Sequence, residues 1–159
     1  MKVLHKVFFA LLTLGALSAC QDNNDTCPEC SDKLGIIEIA QFAPLAGPDC
    51  FFEYAADQYT IQTQAEFDDM VAEATSNCTS FVPESIDFDT YSLLGQKVDG
   101  SGCSRVFCPK VTDKKNRKQY LYEVELLECG FCLPYEQRME WVLVPKLPDD
   151  YEVEFEFNR

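Results

Sequence analysis

The segment Glu152-Val153-Glu154-Phe155-Glu156-Phe157 alternates acidic and apolar residues without interruption. Side chains of a β-strand point alternately to its two faces, so the valine and phenylalanines should face a core and the glutamates should face water. Acidic side chains on an outer face also discourage association between strand edges. The segment therefore predicts a β-strand with one buried and one wet face.

The same alternation recurs between turn signals through the whole second half of the chain. It predicts four further strands, at residues 91–98, 104–111, 119–128 and 138–144. Alternating strands joined by short turns are typical of antiparallel sheets with one solvated face, and we expect them to form a meander. Nearer the N-terminus, residues 34–42 and 50–54 predict two more strands.

One amphipathic helix precedes this region. Thr63-Gln64-Ala65-Glu66 has the form of a capping box, in which each terminal side chain binds a backbone amide of the other residue. Apolar residues then follow at the spacing of one buried helix face, at Phe67, Met70, Val71 and Ala74. We predict a helix at residues 64–75. The fold class is therefore α+β and β-rich, an antiparallel meander with one amphipathic helix, stapled by disulfides.

A hairpin turn at residues 114–118 fixes the expected register of two strands. With Asn116 at its centre, facing residues are equidistant from that position, which predicts these pairs: Val106 with Leu126, Cys108 with Val124, Lys110 with Tyr122, and Cys103 with Cys129. The first three pairs form a mostly apolar face, which we expect to be turned to the core. Opposed residues are close enough for a disulfide between Cys103 and Cys129. A local Cys129–Cys132 bridge is the alternative, and a slip of one residue would exchange the two faces.

The N-terminus has the features of an export signal. Lys2 and Lys6 precede an apolar run at residues 7–17, and the run ends in Leu17-Ser18-Ala19-Cys20. The run is shorter than the roughly 20 residues that span a bilayer. Leu-Ser-Ala-Cys resembles the bacterial lipobox, and this resemblance implies cleavage before Cys20 and acylation of its thiol. The alternatives are a plain secretory signal or a transmembrane helix.

Three segments follow from this resemblance: a signal peptide at 1–19, a flexible polar tether at 20–32 and a single globular domain at 33–159. Loss of the two signal lysines changes the formal charge from −14 to −16, so the domain should repel nucleic acid and anionic lipid. The lipid bilayer would be contacted through acylated Cys20. We expect a lipid-anchored protein of the cell envelope, at the surface or periplasmic face of the outer membrane.

Eight cysteines remain after Cys20, an even number that indicates a disulfide framework in an exported chain. They are Cys27, Cys30, Cys50, Cys78, Cys103, Cys108, Cys129 and Cys132. Cys27 and Cys30 have the spacing of a redox-active pair, but no strand precedes them, which favours a bridge that pins the start of the domain. A four-cysteine zinc site with Cys129 and Cys132 is a weaker alternative, because about a hundred residues separate the pairs.

The residue types available for catalysis are limited. The only histidine, His5, lies in the signal, so the mature chain lacks the usual general base and the commonest zinc ligand. Asp87 and Asp89 suggest a calcium loop, yet Ser92 and Val98 stand where an EF-hand needs glycine and glutamate. The basic residues at 110–118 could dock an acidic partner, but their place at a predicted hairpin tip favours a solvated turn. We predict no catalytic residue, no cofactor and no metal.

From about residue 59 to 157 the chain resembles the PrcB-type family of protease-complex subunits. The resemblance rests on the helix at Phe67, on Ile86-Asp87-Phe88, on Gly100-Ser101-Gly102 and on Trp141-Val142-Leu143-Val144-Pro145. This family includes a lipoprotein subunit that is thought to associate with a surface protease. The resemblance therefore implies a role in binding or assembly, with a protein partner of unknown identity.

The leading functional hypothesis is a non-catalytic, membrane-anchored lipoprotein that binds another protein. The alternative is an extracytoplasmic protease inhibitor, for which the loop at residues 42–48 could be presented to a protease. A hydrolase that uses carboxylates alone is a third class, although an acidic chain is expected to contain many acids without a catalytic role.

Overall fold

The computed structural model describes residues 29–30, 40–41, 53–76, 85–102, 104–130 and 134–159. Within these ranges the chain forms one α-helix, seven strands and a short 3₁₀ turn at Lys115–Arg117. The elements are β1 Ala40–Gln41, β2 Gln58–Ile61, α1 Gln64–Ala74, β3 Tyr91–Ser101, β4 Ser104–Lys114, β5 Gln119–Cys129, β6 Tyr135–Pro145 and β7 Glu152–Asn158. The helix and the five strands predicted in the second half of the chain are confirmed. The short strand β2 was not predicted, although its four residues alternate between polar and apolar side chains, because four residues are the shortest run in which alternation indicates a strand.

The strands form two sheets. The first, with the order β1-β6-β3-β2, is antiparallel throughout, and the second has the order β4-β5-β7. The β-rich, mainly antiparallel fold with one helix is confirmed, but the strand order differs from a meander. Strand β3 pairs with β6 instead of with β4, and β7 runs parallel to β5. The chain therefore changes sheets between β3 and β4.

The four-stranded sheet is the middle layer of three, and this position explains its burial on both faces. One face packs on the three-stranded sheet in a core that contains Leu94, Val98, Val142, Val144, Phe107, Val111, Tyr122, Val124 and Leu126. The other face packs on α1 in a second core that contains Ile61, Phe67, Met70, Ala74, Ile86, Phe88, Leu93 and Trp141. Strands buried on both sides have apolar residues on both, so alternation is weak in Val142-Leu143-Val144.

The capping box at the start of α1 is confirmed. The Thr63 hydroxyl accepts a hydrogen bond from the Glu66 amide at 3.2 Å, and the Glu66 carboxylate accepts from the Thr63 amide at 3.1 Å. The buried residues are Phe67, Met70 and Ala74, while Val71 is half-buried and packs against the same core. Local sequence thus fixes both the first turn of the helix and the face that it buries.

Replacing Thr63 by alanine should lower the free energy of unfolding by about 1 kcal/mol, because the Glu66 amide loses its acceptor. Denaturant unfolding followed by fluorescence would measure the change. Thr63→Ser is the matched control, since it keeps the acceptor oxygen and should remain close to the wild type. Equal losses in both variants would show that the hydroxyl contributes nothing as a cap.

The predicted register of the β4–β5 hairpin is wrong by one residue. Cys129 pairs with Ser104, and Phe107, Pro109 and Val111 oppose Leu126, Val124 and Tyr122. The loop contains four residues, 115–118, and Lys118 closes it in the left-handed conformation at φ 51°. A symmetric five-residue turn around Asn116 does not form. The face of β4 in the core therefore carries Phe107 and Val111, while Cys108 and Lys110 lie on the outer face.

The predicted two-faced character of β7 is confirmed. Val153, Phe155 and Phe157 pack against the core between the sheets, and Phe155 makes an edge-on ring contact with Tyr122. Strand β7 stands at the end of the three-stranded sheet, where its glutamates lie on the opposite face. Its amphipathic pattern therefore suits an edge strand that has one face in the core and one face in water.

Candidate functional site

A groove of about 380 Å³ opens where the start of α1 meets the turn before β3. This volume is within the range of small-molecule sites, which is about 300–1,000 Å³. The lining is mostly polar, with an apolar contribution from Ile86 and Phe88. The lining residues are Gln62, Thr63, Gln64, Ile86, Asp87, Phe88, Asp89 and Lys146. Two short connections and the residue after β6 thus meet in one concave surface.

The Lys146 ammonium is the cation of this groove. It donates hydrogen bonds to the backbone carbonyl oxygens of Gln62, at 2.6 Å, and Phe88, at 2.9 Å. The Lys146 backbone amide also donates to the Thr90 carbonyl at 2.8 Å. One half-buried side chain therefore ties the β2–α1 connection to the turn before β3, with carbonyl oxygens as its acceptors.

Asp87 organises the turn on the other side of the groove. Its carboxylate accepts hydrogen bonds from the Thr90 hydroxyl at 2.8 Å and from the Asp89 amide at 3.1 Å. These bonds, the one from Thr90 first, hold the pKa of Asp87 below its usual range. Both carboxylate oxygens of Asp87 therefore already accept hydrogen bonds within its own turn. In the calcium loop considered for Asp87 and Asp89, these same oxygens would have to bind the ion.

Replacing Lys146 by methionine should lower the free energy of unfolding by about 2 kcal/mol, because two carbonyl oxygens lose a charged donor. Thermal or denaturant unfolding would measure the loss. Lys97→Met is the matched control, because Lys97 forms an exposed pair with Asp57 and such pairs contribute little. A loss at Lys146 no larger than that at Lys97 would contradict this account.

A second polar cluster lies between β4 and β6. The Arg105 guanidinium pairs with Glu136 at 3.0 Å, and Arg138 pairs with both Glu136 and Glu140. The Arg138 guanidinium also stacks over the Phe107 ring at 4.5 Å. Burial raises the pKa of Glu140, and the charge and hydrogen bond of Arg138 oppose that rise. These ion pairs connect an edge strand of one sheet to a central strand of the other.

Glu140 is the described carboxyl that most resembles a candidate general acid, because burial raises its pKa. The contacts around Glu140, however, are structural. The buried Tyr122 hydroxyl donates a hydrogen bond to the Glu140 backbone carbonyl at 3.1 Å. Its side chain is 13 % exposed and is held by Arg138. Sequence reasoning did not single out Glu140, because its burial depends on contact between the two sheets.

Cys30 and Cys108 form a disulfide whose sequence separation is 78 residues. Cys30 is thus bonded to Cys108 and not to Cys27, which argues against a Cys27–Cys30 redox pair. The prediction that Cys108 faces the core is wrong, because the register places it on the outer face opposite Glu125. The bridge nevertheless attaches Cys30 to β4, which is consistent with the predicted bridge that pins the start of the domain.

Most of the other predicted site residues lie outside the described part of the chain. They are the lipidation candidate Cys20, the cysteines Cys27, Cys50, Cys78, Cys103 and Cys132, and the loop at residues 42–48. Cys129 is described for its backbone alone, opposite Ser104. The observed register therefore gives no support to a Cys103–Cys129 bridge. That pairing and the Cys129–Cys132 alternative both lie outside the described residues.

The basic residues near the β4–β5 turn are largely paired. Lys110 binds Glu123 at 3.3 Å and Lys114 binds Glu154 at 3.3 Å. Lys118 binds Asp150 at 2.5 Å, which raises the pKa of Lys118 and lowers that of Asp150. The hairpin position predicted for these residues is confirmed. Acids of β5, of β7 and of the connection before β7 hold these basic residues in separate pairs.

Two larger features are absent from the described ranges. No helix in them is both long enough and apolar enough to cross a membrane. No group of three or more His, Cys, Asp or Glu residues in those ranges is arranged to hold a metal ion.

Comparisons with known proteins found no relative of this chain. No family model matches the sequence, and neither does any curated protein or any solved structure. The resemblance to PrcB-type subunits therefore stays a prediction from the motifs named above.

Proposed function

We propose that this protein is a lipoprotein anchored through Cys20 whose β-rich domain binds another protein without catalysing a reaction. The lipobox at residues 17–20 and the polar residues after it support the anchor. The formal charge of −16 after signal removal supports a domain that stays clear of anionic lipid and nucleic acid. The non-catalytic binding role is supported by the structural contacts that carboxyl groups of the domain make.

The observation that carries the proposal is that the described carboxyl groups with shifted pKa values are bound in structural contacts. Asp87 holds a turn through Thr90, Asp150 holds the hairpin loop through Lys118, and Glu140 is held by Arg138. A general acid or base instead needs a carboxyl group that can exchange its proton with a substrate in a cleft. Among the described residues, these three carboxyls therefore favour a scaffold over an active centre.

A cross-linking experiment on native membranes tests the binding role. The full-length protein with a photo-activatable residue at an exposed position, such as Asp69, would be cross-linked before solubilisation. One stoichiometric partner that also co-purifies without cross-linking supports assembly. A captured protease whose activity falls supports the inhibitor alternative, and turnover of a glycan or ester by the purified protein would overturn the non-catalytic proposal.

The anchor leads to a separate prediction. Cys20→Ser should release the protein from membranes, because the hydroxyl cannot replace the thiol as acyl acceptor. Acyl chains supply the membrane affinity of such an anchor, and the proposed anchor is Cys20 alone, so nearly complete release is expected. Membrane fractionation after a high-salt wash measures it. Cys27→Ser is the matched control and should stay membrane-bound; retention of Cys20→Ser in the pellet would place the anchor elsewhere.

A further inference from the structure

We infer that the Cys30–Cys108 disulfide sets which side of the domain faces the bilayer. The inference rests on the proposed anchor at Cys20 and deepens that proposal. It follows from where the bridge joins the domain and from the length of chain before it. The bridge is thus assigned a geometric role besides its contribution to stability.

The position of Cys108 decides which side of the domain is attached. Cys108 lies in the middle of β4 and pairs across the hairpin with the exposed residue Glu125. Its neighbours Phe107 and Val111 belong to the core between the sheets, so Cys108 is on the opposite, outer face of the three-stranded sheet. Helix α1 packs on the far side of the middle sheet. The bridge therefore attaches the N-terminal chain on the side of the molecule opposite to α1.

The next described attachment of the chain lies elsewhere. Ala40 and Gln41 form β1, which pairs with β6 at the edge of the four-stranded sheet. Cys30 comes ten positions after Cys20, and Ala40 comes twenty positions after it. An extended chain reaches at most about 3.5 Å per residue, so the bridge holds its attachment point within about 35 Å of the anchor.

Loss of the bridge removes this attachment. The first described point of attachment would then be the sheet edge at β1, which pairs with β6. The outer face of the three-stranded sheet would therefore lose its preferred facing toward the bilayer.

Energy transfer from dyes on the domain to acceptors in the membrane tests this inference. The full-length protein would carry a dye, through an unnatural amino acid, at Glu125 on the outer face beside Cys108 or at Asp69 on α1. In the wild type, the dye at Glu125 should lie nearer the membrane than the dye at Asp69. In Cys30→Ala/Cys108→Ala, this difference should vanish.

An insertion variant keeps the inference testable if the double variant unfolds. Ten Gly/Ser residues placed after Asn24 lengthen the tether with the bridge intact, so both dyes should move outward while Glu125 stays nearer. Equal wild-type distances at the two sites would overturn the inference, and so would unchanged distances in a folded double variant. Failure of the anchor is seen separately, as wild-type protein that does not pellet with membranes.

Discussion

Replacing Gly95 by valine should lower the free energy of unfolding by about 3–5 kcal/mol. Gly95 stands in β3 between Tyr59 of β2 and Trp141 of β6, and the indole ring lies over its α-carbon. A Cβ at this position would clash with the Cζ3 atom of Trp141 and would lie 2.7 Å from two other ring atoms. Either the ring leaves its place or the strands separate, and losing the packing of a buried tryptophan costs about that much.

The surroundings of Trp141 leave no room for the ring to move. The indole is 3 % exposed, its centroid lies 5.6 Å from those of Tyr54 and Tyr59, and its Nε1 donates to the Tyr54 hydroxyl at 3.4 Å. Since Trp141 is the only tryptophan in the chain, its fluorescence reports unfolding directly. Thr60→Val, at an exposed position on β2, is the control and should change little. A loss below about 1 kcal/mol in Gly95→Val would show that the ring relocates freely.

Removing the Cys30–Cys108 bridge should lower the free energy of unfolding by about 4 kcal/mol and the melting temperature by roughly 10–15 °C. Its loop spans 78 residues, and the loop-closure entropy of the unfolded chain gives this magnitude. Cys30→Ala, Cys108→Ala and the double variant would be compared in a Cys20→Ser background. Calorimetry of the purified protein measures the midpoints.

A double-mutant cycle separates the bridge from the packing of each cysteine. If the bridge is the stabilising element, either single substitution should cost about as much as both together, because the bond is already lost. Two smaller losses that add up would show that Cys30 and Cys108 act through packing instead. The comparison needs no reductant, so the other cysteines are not reduced during the measurement.

Local features of the fold followed from the sequence with good accuracy. The helix ends at Ala74, one residue before its predicted end. This agreement arises because the capping box and the spacing of Phe67, Met70 and Ala74 are encoded within twelve consecutive residues. The five strands of the second half were found because alternation is also a local signal. The face of β5 that carries Tyr122, Val124 and Leu126 was correctly expected in the core.

The hairpin register shows where local reasoning stops. Asn116 has a side chain that suits a turn centre, yet the left-handed residue is Lys118, and the loop closes with four residues. That difference of one position moves Cys129 from Cys103 to Ser104 and turns Cys108 outward. Strand periodicity is two, so a one-residue shift changes the face of every side chain on β4.

Sequence alone determined the positions of the helix and of the main strands, and it predicted the export signal and the acidic character. Tertiary structure decided the pairing of β3 with β6, the parallel β7, the partner of Cys30 and the burial of Glu140. The physical reason is the range of the interactions. Capping and alternation involve neighbours along the chain, whereas these contacts join residues far apart in sequence and depend on how two sheets and a helix pack together.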